Sequence, residues 1–129
     1  MTRVYVLDGT EIKSLDDFWK EIGEAVNGPG GYFGRNLDSF HDCLRGGGFG
    51  TPADGNFCFE WQGHEVSRQH LGYEATVREL QVRLARCHES NRPMVLRELQ
   101  TAEAGQGKTV FDWLVDIMYN MNPTILRLT

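Results

Sequence analysis

An α/β fold with a small, mainly parallel three-stranded sheet covered by helices is predicted by three features of the sequence. Short runs rich in β-branched and aromatic residues occur at 3–7, 56–61 and 124–128, far apart in the chain. Between them apolar residues recur at helical spacing, and parallel strands require long crossovers of this kind. A chain of 129 residues, 40% hydrophobic and 24% charged, is of a size and balance that suit one domain around one core.

The elements follow in order. Residues 3–7 carry apolar side chains on both faces, as a buried strand does, and Asp8-Gly9-Thr10 turns the chain. Ser14 is a helix N-cap, with Asp16 and Asp17 in the first turn where the helix dipole favours acids. Leu15, Phe18, Trp19, Ile22 and Val26 make 15–26 amphipathic, and Asn27-Gly-Pro-Gly-Gly31 stops it. Asn36 caps a short helix over 36–45, with Leu37, Phe40 and Leu44 facing inward and Cys43 beside them. The glycine-rich segment 46–55 reads as a loop. After the strand at 56–61, helices are predicted at 64–71, 73–87 and 94–102; Ser90 or Asn91 before Pro93 starts the last of these. Thr109 caps a final helix over 110–121, on which Asp112 reads as an outward acid. Asn122-Pro123 breaks that helix before the third strand. The order is β-α-α-β-α-α-α-α-β, without internal repeat or linker, so residues 1–129 form a single domain.

The net charge of −5 is unevenly placed. Residues 1–60 hold five basic and ten acidic side chains, whereas residues 61–129 hold eight of each. An acidic first half argues against nucleic acid, whose phosphates require a basic footprint, and suits a locally basic partner. No apolar run is long enough for a membrane span. The start lacks a basic region followed by an apolar stretch, so no secretory signal is expected. Cys43, Cys58 and Cys87 all fall at inward-facing positions and form no Cys-x-x-Cys pair. Buried free thiols and a cytoplasmic location are the expectation.

Catalytic signatures fail one by one. Gly107-Lys108-Thr109 resembles the end of a phosphate-binding loop, but the required earlier glycine is Ala102 and the preceding segment is helical. Gly46-Gly47-Gly48-Phe49-Gly50 leads to a strand, which no dinucleotide fingerprint does. Neither His64 with His70 nor Cys87-His88 has metal-ligand spacing, and there is no Gly-x-Ser-x-Gly elbow. No enzyme activity, cofactor or metal is expected.

One constellation remains. Asp38 and Asp42 stand at i and i+4 on the 36–45 helix with His41 between them, and the inner stripe turns all three outward. Like charges one turn apart cost a few tenths of a kcal/mol, which a short helix between glycines has little reason to bear. Spacing alone still favours an ordinary solvated acidic face. An acid–base pair built on His41, and a regulatory module binding some other basic protein, are the competing functional readings.

The run Tyr32-Phe-Gly-Arg-Asn-Leu-Asp-Ser-Phe-His-Asp-Cys-Leu-Arg-Gly46 resembles the signature segment of the barstar family, intracellular inhibitors of secreted microbial ribonucleases. The strand, turn and helix at 3–26, the strand ending Glu60-Trp61 and the helix and strand at 110–128 are similar too. The resemblance covers most of the chain. It implies a barstar-like fold with an extra glycine-rich loop at 46–55 and an extra helical segment at 88–108, as in larger actinomycete members. It further implies that Asp42 enters the nuclease's phosphate-binding pocket, with Asp38 as the second key acid. Tyr32 would pack over the catalytic histidine, while Asn36, Gly34 and Gly46 make interface contacts. Counted back from the last strand, Asp116 becomes a further acidic contact. His41 and Gly47 stand where the family shows tryptophans, so the rim is altered; Phe49 in the longer loop is the candidate replacement. The implied target is a related enzyme, such as an actinomycete guanyl-specific ribonuclease, bound one-to-one by a chain that is monomeric when free.

Overall fold

The computed structural model describes residues 2–46 and 56–129. Strand β1 (Arg3–Asp8) leads through a 3-10 turn at Gly9–Glu11 into helices α1 (Leu15–Asn27) and α2 (Leu37–Leu44). Strand β2 (Phe57–Gln62) is followed by α3 (His64–His70), α4 (Tyr73–Arg86), a 3-10 turn at Glu89–Asn91, α5 (Arg92–Glu103) and α6 (Val110–Met121). Strand β3 (Leu126–Leu128) closes the sheet, whose order is β1-β2-β3.

The sheet is wholly parallel, with Tyr5 paired to Phe59 and Phe59 to Leu126. Both crossovers step in the same direction across it, so right-handed connections place every helix on one face. Burial agrees. Tyr5, Leu7, Phe57, Phe59, Trp61 and Leu126 lie inward, whereas Val4 and Val6 remain 52% and 47% exposed. The reading of residues 3–7 as a strand buried on both sides is therefore corrected: among the described residues the helices cover one face of the sheet, and the alternate side chains of β1 are left open. Apolar content cannot distinguish an interior strand from an edge strand bearing two valines on its open side.

Under the helices, Phe18, Phe33, Phe40, Phe59 and Trp61 are almost wholly excluded from solvent. Phe18 meets Phe40 edge-on at 5.4 Å, the arrangement that ring quadrupoles favour, and packs tilted against Trp61 at 5.2 Å. The indole N–H of Trp61 donates to Ser67 Oγ at 3.0 Å, and that hydroxyl donates to the Gly9 carbonyl at 2.7 Å. One buried serine thus ties α3 to the ends of two strands. A second, smaller core of Leu80, Leu99 and Ala102 joins α4 to α5, with Trp113 of α6 packed against it. Thr76 is buried with its hydroxyl donating to Gly72 O and accepting from Val110 N, which links α4 to α6.

Three details differ from expectation. Strand β3 begins at Leu126 because Asn122 Oδ1 accepts from both the backbone and the hydroxyl of Thr124, holding 122–125 in a turn. Cys43 is buried, but Cys58 and Cys87 are only half-buried: Cys58 lies on the open face of the sheet, and Cys87 ends α4. Asp112 is no free outward acid, since it accepts from the backbone and hydroxyl of Thr109 and completes the capping box of α6.

Candidate partner-binding surface

The candidate residues cluster because a tight turn and a short, doubly anchored helix follow one another. Gly34 is buried with φ +94°, a conformation open chiefly to glycine. Asn36 then caps α2: its side chain accepts from Ser39 N at 2.8 Å, while Ser39 Oγ accepts from Asn36 N at 3.2 Å and Arg35 N at 2.9 Å. This reciprocal capping box satisfies amide groups that would otherwise be unpaired at the helix start. Phe40, Cys43 and Leu44 anchor the opposite face of α2 in the core. At the far end Gly46, with φ +86° and open space where a side chain would stand, takes the left-handed position that terminates helices.

Asp38 and Asp42 consequently project from a braced helix. Both are exposed; the Asp42 side chain keeps 69% of its surface in solvent. Among the described residues Asp38 makes no ion pair and Asp42 pairs with His41, whose Nδ1 is 3.9 Å from its Oδ1. Arg45 Nε donates to His41 Nε2 at 2.9 Å, holding the ring over the end of the helix. Tyr32 is half-buried beneath the Arg35 guanidinium, 5.9 Å from its ring centre.

The surface divides into two adjoining hollows. Tyr32 and Gly34 line one of about 400 Å³, and Asn36 and Asp38 line another of about 600 Å³; Asp16, Trp19 and Arg35 belong to both. Asp116 stands apart on α6, which packs against α2. Its carboxylate accepts from Lys108 Nζ at 2.5 Å. That hydrogen bond, reinforced by the Asp116 charge, holds the Lys108 ammonium above its ordinary range. Phe49 and Gly47 lie outside the described residues.

Reading the sequence for acids missed the residues that brace α2 and those that line the larger hollow opposite it. Ser39 was visible as the third residue after Asn36, where a capping box places its partner. Glu79, Val82, Arg83 and Arg86 recur at i, i+3, i+4 and i+7 and so share one face of α4, distinct from its core face of Ala75, Thr76 and Leu80. Among the described residues no three His, Cys, Asp or Glu side chains gather as metal ligands would, and no helix is long and apolar enough to cross a membrane.

No curated protein and no solved structure matches the chain. A family model described as Barstar (barnase inhibitor) matches residues 2–97, from the first strand into α5, and takes in every described candidate except Asp116. With that share of its 129 residues matched, the chain belongs to the barstar family.

Proposed function

We propose that this chain inhibits a guanyl-specific microbial ribonuclease by occluding its active site one-to-one, with Asp38 and Asp42 standing in for phosphate oxygens. The family's description as an inhibitor of a ribonuclease supports the class. The observation that carries the mechanism is the pair of exposed carboxylates on α2, which are roughly 6 Å apart at their Cβ atoms and braced from beneath by the core.

A ribonuclease holds RNA phosphates with arginine, lysine and histidine, and its cleft is therefore cationic. Carboxylates entering that cleft form charge-assisted hydrogen bonds, which are about twice as strong as neutral ones. Because α2 is capped at both ends and packed along one side, little side-chain and backbone freedom is lost on binding. The acidic first half of the chain steers encounter, an effect that fades as salt rises. The inhibitor itself catalyses nothing.

Titrating a guanyl-specific ribonuclease with the chain tests the reading. Turnover should end near one equivalent; full activity in the presence of excess chain would dismiss it.

A further inference from the structure

The hollow of about 600 Å³ opens beside the acids of α2. Asn36 and Asp38 form part of one side, together with Asp16 of α1. The stripe Glu79, Val82, Arg83 and Arg86 of α4 forms the other, and Trp113 of α6 completes the lining. The α4 wall is fixed in place. The Arg83 guanidinium sits 5.0 Å over the Trp113 ring and 3.7 Å from Glu98 of α5. Two features of that wall have no use within the fold: Val82 is 47% exposed, and Arg86 makes no ion pair among the described residues.

We infer that this groove is a second arm of the inhibitory surface. A loop bordering the ribonuclease's cleft enters it, sets an apolar side chain against Val82 and Trp113, and offers a carboxylate to Arg86. The inference rests on the ribonuclease reading above. Continuity carries it first, because Asp38 belongs both to the acid pair and to the groove, so whatever engages Asp38 overhangs the hollow. Charge carries it second. The lining sets three acids (Asp16, Asp38, Glu79) beside three arginines (Arg35, Arg83, Arg86), a balance that suits a polypeptide loop of mixed sign better than a phosphate-bearing ligand. The wall's rigidity also means that little ordering is required when the loop arrives.

Val82→Arg and Arg86→Glu, assayed in the full chain against an inhibited ribonuclease, test the inference, with Val6→Arg on the open sheet face as a matched control. Circular dichroism and thermal melting verify the fold of each. The two groove variants should bind at least about tenfold more weakly through faster dissociation, and Val6→Arg should stay within about twofold of the parent. Groove variants that inhibit as tightly as the parent would overturn the inference and leave the acid-pair reading intact. Normal inhibition by Val82→Arg with loss of a self-associated form in sedimentation would assign the groove to a second copy instead, and overturn it equally. A parent chain that inhibits no ribonuclease would overturn both.

Discussion

Gly34 lies directly against the backbone of Phe40: a Cβ built on Gly34 would stand 2.8 Å from both the amide nitrogen and the Cα of Phe40. The start of α2 is thus seated on a residue without a side chain. Gly34→Ala combines a collision with a strained φ, which together should cost about 1–3 kcal/mol or more. A lower melting temperature and weaker inhibition should appear together, because the same shift displaces Asp38. An unchanged melting temperature would show that the turn relaxes freely.

The acid pair predicts an uneven mutational profile. Asp42→Ala should weaken ribonuclease binding by about 2–5 kcal/mol, since it leaves buried cations of the partner without a counter-charge. Glu103→Ala, an exposed acid at the end of α5, should have almost no effect. Equal effects from both would reduce the interface to diffuse attraction. Stopped-flow association rates should fall with added salt for the parent chain. Asp112 is unsuitable as the control because its removal opens the cap of α6.

The cap of α2 separates stability from recognition. Asn36→Ala should lower folding stability by about 1 kcal/mol, read by urea denaturation, because Ser39 N loses its acceptor. Asn36→Ser preserves a capping oxygen and should keep most of that stability. Any affinity lost by the serine variant then reports the asparagine's own contact with the partner.

Asp116 is already engaged by Lys108, so a partner cation must compete for it. Lys108→Gln should speed association with the ribonuclease a few-fold, and Asp116→Asn in the same chain should cancel the gain. Because the double variant restores the parent net charge, Lys13→Gln is the separating control: an equal gain there would attribute the effect to net charge alone. The pH dependence has a definite sign. The folded-state value of Lys108 lies above the ordinary 10.5. The pair's contribution is therefore complete below 10.5 and disappears as pH rises through the folded value. Denaturation curves of the parent and of Lys108→Gln should differ by a constant amount near neutrality and converge only in strong alkali.

Local signals made most of the architecture readable. Ser14, Asn36 and Thr109 announced three helix starts, and each side chain accepts from an amide three residues on. The inner stripe of α2 placed Asp38 and Asp42 outward correctly. What escaped depends on contacts between distant segments. Nothing near Val4 or Val6 reveals that both crossovers step the same way and leave those valines in solvent. Ser67 and Thr76 gave no sign of burial, because their partners Gly9 and Val110 are 58 and 34 residues away. The groove was hidden for the same reason: α4 displays its second stripe only once α5 and Trp113 hold it opposite α2.

The one-sided sheet has a practical consequence. A fluorophore, biotin or surface tether introduced at Val6 or Arg127 would project from the side of the molecule away from α2, α4 and α6. An immobilised chain could thus be loaded with enzyme and washed repeatedly while its working layer stays clear of the support.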